Sequence, residues 1–193
     1  MGIPQTRKRL VLLASRLNGD PLGLDPTSAS VATVRQAIEG LPAIGAGDVD
    51  PHDPLHAAAS LSDRNLSRIR ASVPGGTWRD WPSELQAACH QKNTGATYPA
   101  VYGRMEWDRP GPTMTTQCFG YGNGRFGHPS QDRAISLREA ALLQTFPETY
   151  RFAPPNARVS FNRMGRLIGN AVPVRLGEVI AQSLIAHVQS RAD

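Results

Sequence analysis

Apolar residues in this chain fall into a few short blocks separated by polar stretches rich in glycine and proline. The first block, Arg9-Leu10-Val11-Leu12-Leu13-Ala14-Ser15, shows no alternation between apolar and polar positions. An uninterrupted run of that length predicts a β-strand buried on both faces. Little of the neighbouring sequence reads as a partner strand, which points to a sheet completed by residues outside this chain. Residues 30–41 predict a short helix with Val34, Ala37, Ile38 and Leu41 on one side, and residues 62–71 a second with Leu61, Leu66 and Ile69 inward. Pro74-Gly75-Gly76 closes the second helix. A further short helix is predicted at 83–89, and short strands joined by glycine turns over 98–129.

The last third is more regular. Ser136-Leu137-Arg138-Glu139 has the spacing of a capping box, in which a serine hydroxyl and a glutamate carboxylate satisfy each other's free backbone donors at a helix start. That helix should run to about Phe146 and stop at Pro147. Pro173 suits the first turn of a closing helix. Leu176, Val179, Ile180, Leu184 and Val188 then recur at helical spacing and give it one apolar stripe. The stretch before it, Gly165 to Pro173, reads as a loop leading into that helix, where Gly169 and Asn170 would allow close backbone approach to a polar ligand.

Composition changes this picture modestly. Apolar residues make up 40% of the 193, enough for a core, while 18 glycines and 16 prolines demand long irregular connections. The net charge is +5, and because the only lysines are Lys8 and Lys92 it is carried almost wholly by arginine. A planar guanidinium fork suits phosphate and base edges, although a GC-rich genome would produce the same bias. Cys89 and Cys118 form neither a metal spacing nor a disulfide framework, which fits a reducing, cytoplasmic setting. No stretch is long and apolar enough to cross a membrane, and no signal peptide is evident. His52 and His56 are four apart, but Pro54 between them argues against a helical metal pair, so no metal is expected.

Three clusters carry the candidate chemistry. In Gln5-Thr6-Arg7-Lys8-Arg9, arginines two apart on an extended chain point the same way and could hold a phosphate or a base oxygen together. The second cluster is Arg138 to Tyr150, and the third Gly169-Asn170-Ala171-Val172-Pro173. In that order and with those gaps they resemble motifs VIII, IX and X of the DNA (cytosine-5) methyltransferases. The span between the first two lies where that family places its variable target-recognition region. The tract Tyr102-Gly103-Arg104, Pro110 to Thr116 and Gly124 to Pro129 is similar to one branch of the family.

The resemblance implies transfer of a methyl group from S-adenosylmethionine to cytosine C5 in duplex DNA, of the kind associated with restriction–modification. It implies that Arg7 and Arg9 sit by the flipped cytosine and the catalytic loop, and that Arg138 is structural. Gly169, Asn170 and Ala171 would line the cofactor pocket, and Gln5, Arg104, Thr115, Thr116 and Arg125 would face DNA. Such chemistry needs a cysteine thiolate to add to C6 and make C5 electron-rich, with a carboxylate near N3. The family's Pro-Cys and Glu-Asn-Val motifs do not occur in this sequence, and neither Cys89 nor Cys118 has the expected context. The glycine-rich strand-turn-helix for the cofactor is also missing.

The expectation is therefore a mixed α/β C-terminal fragment of a Rossmann-like methyltransferase. Residues 1–20 would be the motif VIII strand, 21–135 an irregular α+β target-recognition domain, and 136–193 motifs IX and X with the closing helix. An N-terminal methyltransferase part would carry the cofactor-binding and Pro-Cys motifs, and the isolated chain would be inactive. A truncated remnant and a stand-alone sequence-specific DNA-binding module remain alternatives.

Overall fold

A computed structural model describes residues 2–17, 22–24, 30–92, 94, 97–154 and 157–190. Among them are α1 (Val34–Ile38), α2 (Asp63–Ala71), α3 (Leu137–Leu143), α4 (Phe161–Asn170) and α5 (Val174–Gln189), with single 3-10 turns at Trp78–Asp80, Ser83–Leu85 and Tyr121–Asn123. The boundary expected between residues 20 and 21 lies outside the described residues.

Helix starts follow local chemistry. Thr33 and Gln36 make a reciprocal capping box at α1, the Ser62 hydroxyl accepts from the Asn65 amide at α2, and both bonds of the expected Ser136–Glu139 box are present at α3. The helix expected over 83–89 is only a 3-10 turn at Ser83–Leu85. One helix was not foreseen. The residues read as a loop from Gly165 onward belong to α4, which Ser160 caps by accepting from the Arg163 amide.

The mixed α/β expectation needs correcting, because the described residues contain no β-strand, only isolated bridges. Gln5 pairs with Gly111, and Arg104 with both Pro74 and Gly127. Between 98 and 129 glycine and proline interrupt the chain too often for a ladder to grow beyond one residue. Residues 9–15 are not a buried strand either. Val11 and Leu13 are half-buried, whereas Leu10 and Leu12 are 96% and 87% exposed. The segment presents two apolar faces and only one is covered, since among the described residues no neighbouring strand takes the other.

The main core joins Val34, Ile38, Leu55, Met105, Met114, Phe126, Ile135, Leu137, Leu143, Met164 and Ile168, so it draws on residues throughout the chain. Helix α3 packs against both α1 and α4 at its centre. A second cluster around Ile69, Tyr121 and Ala134 lies under Tyr102, and Trp78 stacks on His90 beside it at 4.3 Å. The closing helix is covered for half its length. Leu176 and Val179 are buried, while Leu184, Ile185 and Val188 are 39%, 55% and 57% exposed.

Candidate functional site

The three sequence clusters meet at one point. Near the N-terminus, the Thr6 amide donates to Gly111 O and the Gly111 amide to Pro4 O, both at 2.9 Å, which lays residues 4–6 along residues 111–113. The next two arginines then reach in the same direction, as period-two geometry requires. Arg7 Nη1 donates to Met114 O (3.1 Å) and Gly169 O (3.2 Å), and Arg9 Nη2 donates to Ala171 O (3.2 Å). Burial, and then the neighbouring Arg9 charge, lowers the Arg7 pKa from its ordinary value; a guanidinium remains cationic all the same. Arg7, Arg9, Gln5 and Leu10 line a cavity of about 450 Å³ together with Pro173, the N-cap of α5, and Leu176 within it.

Gln5 is buried, and its amide is engaged inside the protein: Nε2 donates to Gln144 Oε1 (2.6 Å) and Leu143 O (3.1 Å), and Oε1 accepts from the Met114 amide (3.2 Å). Gln144 in turn donates to Ile168 O at 2.7 Å. The first cluster thus touches the second, and the second touches the third.

Gly169 is buried in the last turn of α4, and its lack of a side chain has a visible cause. A Cβ there would fall 2.3 Å from the carbonyl carbon and oxygen of Thr115, and one at Gly165 would fall 2.6 Å from the Phe119 ring and 2.7 Å from Thr116 O. The two glycines, one helical turn apart, let the turn at 115–119 lie directly on α4. This brings the exposed Thr115 and half-buried Thr116 next to Gly169 and Gly165. The glycines also explain why α4 was missed, since each lowers helix propensity by about 1 kcal/mol relative to alanine. The signal that could have found it was Ser160 followed by Phe161, Met164 and Ile168 at helical spacing.

Asn170 is exposed and, among the described residues, its amide has no hydrogen-bond partner. With Ser160, Asn162, Arg163, Arg166 and Ala171 it lines a shallow groove of about 660 Å³ along α4. An amide that both donates and accepts, beside two arginines without ion-pair partners among the described residues, fits a ligand such as S-adenosylmethionine, which has a carboxylate and an adenine amine. A cavity of about 750 Å³ lies elsewhere, beside Asp53, His56, Arg138 and Phe152, and none of the converging residues lines it.

Both arginines expected at DNA bond within the fold. Arg104 is buried with every nitrogen engaged: Nε to Ile69 O and Ser72 O, Nη1 to His128 O and Gln131 O, and Nη2 to Asp132. Arg125 donates to Gly76 O at 2.6 Å. Arg138 pairs with Asp53 (2.5 and 3.0 Å) and reaches Tyr150 O, which ties α3 to both neighbouring loops.

Beneath these loops lies a buried charge network. Arg133 makes a bidentate pair with Glu139 (2.7 Å for each bond), and the same carboxylate caps α3 through the Ser136 amide. The Ser136 hydroxyl bonds His56 Nδ1 at 2.8 Å, and His56 Nε2 meets Pro42 O at 2.9 Å. His56 is thus satisfied within the fold, and among the described residues no three His, Cys, Asp or Glu side chains gather to hold a metal. Burial pushes the Cys118 thiol up to about 12, which disfavours the reactive thiolate, and the group is wholly enclosed. Cys89 is exposed and lines none of the cavities described above.

The fold matches part of a solved structure. A prophage-encoded E. coli protein described as a DNA modification methyltransferase superposes on 86% of this chain with a TM-score of 0.57, over 50% of its own length, at 20% identity. The C-5 cytosine-specific DNA methylase family model matches residues 1–186, and the chain belongs to that family. Similar proteins include the Type II methylase M.HgiDII of Herpetosiphon aurantiacus, 58% identical over 185 residues that cover 95% of this chain and 52% of that protein. The Type II methyltransferase M1.BsuMI of Bacillus subtilis is 32% identical over 183 residues, covering 94% of this chain and 40% of the relative. The chain thus spans about half the length of the curated relatives it matches. No helix among the described residues is long and apolar enough to cross a membrane.

Proposed function

We propose that this chain acts as the C-terminal, target-recognising part of a cytoplasmic DNA (cytosine-5) methyltransferase that transfers a methyl group from S-adenosylmethionine to cytosine C5 in duplex DNA. The observation that carries the reading is the convergence of Arg7 and Arg9, Gln144, and the Gly169–Ala171 corner around the Met114–Thr116 turn. Residues distant in sequence are held together where a family member would need base, nucleotide backbone and methyl donor side by side.

In this reading Arg7 and Arg9 border the cytosine pocket and offer positive charge to a base oxygen or phosphate. Thr115 and Thr116 meet the backbone of the flipped nucleotide. Asn170, with Gly169 and Ala171, lines the edge of the cofactor pocket; the cofactor supplies an electrophilic methyl group. Gln5, Arg104 and Arg125, whose polar groups bond inside the fold, act by holding the recognition loops in register, while residues 21–135 choose the sequence. A second segment, equivalent to the remaining half of the relatives, provides the cysteine nucleophile and seats on the uncovered apolar face at Leu10 and Leu12.

The test is complementation. Alone, the purified chain should leave labelled methyl donor untouched; mixed with a segment carrying the Pro-Cys motif, it should label cytosine in duplex DNA. A folded mixture that stays inactive, or labelling by the chain alone, would overturn the reading.

A further inference from the structure

The corner at the end of α3 does more than terminate a helix. Gln144 is fully buried, and its amide sits inside a chain of donors that all run one way. The Met114 amide donates to Gln5 Oε1, Gln5 Nε2 donates to Gln144 Oε1, and Gln144 Nε2 donates to Ile168 O, at 3.2, 2.6 and 2.7 Å. The backbone groups at the two ends fix both amide orientations, because turning either side chain over would set like dipoles against each other. Aligned hydrogen bonds of this kind polarise one another in a low-dielectric interior.

Next to it, Thr145 has φ 62°, in the left-handed region that a β-branched residue rarely adopts. In that conformation its hydroxyl accepts from the Arg175 amide at 2.9 Å while Gln144 O accepts from the Val174 amide at 3.2 Å. The corner therefore takes up the first free donors of α5. Through Gln144 it also holds Ile168 O in the last turn of α4. Strain kept at such a junction marks a place where position matters.

We infer that Gln144, with Thr145 beside it, is a positioning residue that couples the recognition turn at Met114–Thr116 to the cofactor-side corner at Ile168–Arg175, so that DNA and cofactor strengthen each other's binding through it. The inference rests on the function proposed above. A purely structural glutamine would stabilise the fold without linking the two ligands; a coupling glutamine must carry a reciprocal interaction between them.

Two measurements separate these roles. In the chain alone, hydrogen exchange of Gln144→Met should speed up by about tenfold at the Met114 amide and at the Val174 and Arg175 amides together, the scale of one to two lost hydrogen bonds. The Gln36 amide in the α1 cap should be unchanged. A response confined to residues 168–175 would overturn the link. In the complemented holoenzyme, cofactor affinity is measured by calorimetry with and without target duplex. The duplex should tighten cofactor binding, and Gln144→Met should remove about tenfold of that tightening. Gln5→Met breaks the same relay from its other end and serves if Gln144→Met does not fold; it should give the same loss, and the double variant no more. Undiminished tightening in either folded variant, or none in the wild type, would overturn the coupling. Loss of the underlying function is distinguishable, because the wild-type holoenzyme would then bind no cofactor at all and both statements would fall.

Discussion

At Gly169 two residue-level effects oppose each other, and their sizes decide the outcome. Alanine is favoured over glycine in a helix by about 1 kcal/mol. The added Cβ would lie 2.3 Å from the backbone of Thr115, which has no flexible end to move aside. Overpacking of that kind costs about 1–3 kcal/mol or more, so Gly169→Ala should destabilise the chain, read as a lower midpoint in urea. An unchanged midpoint would show that the turn at 115–119 can lift off α4. Arg9→Ala and Asn170→Ala probe the ligands instead. In the complemented enzyme the first should lower kcat sharply, and the second should weaken cofactor binding with less effect on kcat. The contact made by Gly169 was invisible in the sequence, because a glycine does not announce which distant segment crosses it. The joint reach of Arg7 and Arg9 was legible because it depends only on period-two geometry in one extended segment.

His128 adds a residue-scale prediction about pH. Its Nδ1 accepts from the Ser130 and Gln131 amides, so the proton of the neutral ring belongs on Nε2, which faces Glu139 at 3.6 Å. Burial lowers its pKa to about 4; Glu139 opposes the shift, while Arg133, Arg104 and His56 reinforce it. A histidine near 6.5 in the unfolded chain takes up a proton as pH falls, and the folded chain does not until about 4. Stability should be level with respect to this group above pH 6.5 and fall by about 3 kcal/mol between 6.5 and 4. His90, lowered by burial and then by Arg68, acts with the same sign. Urea titrations at pH 7, 5.5 and 4.5 test this, and removing His128 by His128→Gln should flatten the slope.

At the scale of elements, sequence and structure agree most closely at the start of α3, although the helix ends at Leu143 rather than at the expected Phe146. Ser136 and Glu139 bond as their spacing required, since a capping box involves only four consecutive residues. What the spacing did not reveal is that the same carboxylate neutralises Arg133, which is entirely buried. Burial holds the Glu139 pKa up and the Arg133 bonds and charge pull it down, leaving it lowered overall. Removing one partner of a buried pair costs about 3–5 kcal/mol because the other charge is left uncompensated. Loss of a serine cap costs about 1 kcal/mol, and the His56 bond lost with this hydroxyl about 1 kcal/mol more. Glu139→Gln should therefore lower stability well beyond Ser136→Ala; equal costs would mean that Arg133 finds another acceptor. The short bridges between 98 and 129 were read as strands for a related reason. Local β-propensity is visible in a sequence, but a ladder needs a second chain segment in register, and here Gly103, Gly111 and Gly127 meet their partners for one residue at a time.

For the whole molecule, the unfilled half of the apolar pattern is the main clue to assembly. The run at 10–13 was legible as hydrophobic on both faces, yet Leu10 and Leu12 stand bare beside Val11 and Leu13, which are half covered. Ser15 at the end of the segment meets His187 of α5 at 2.9 Å, so the bare leucines and the exposed Leu184, Ile185 and Val188 belong to neighbouring elements. Burying a leucine fully is worth about 1.5–3 kcal/mol, so Leu10 and Leu12 together could change association with the complementing segment by some two to four powers of ten. Replacing both with lysine should leave the stability of the isolated chain within about 0.5 kcal/mol, because exposed side chains contribute little to the fold. It should also make the chain less prone to self-association, since an exposed apolar patch is removed. The same double variant should fail to restore cytosine methylation at concentrations of partner that saturate the wild type. If Leu10→Lys with Leu12→Lys complements as well as the wild type, the proposed second segment does not seat on this face, and the uncovered side of residues 9–15 has another cause.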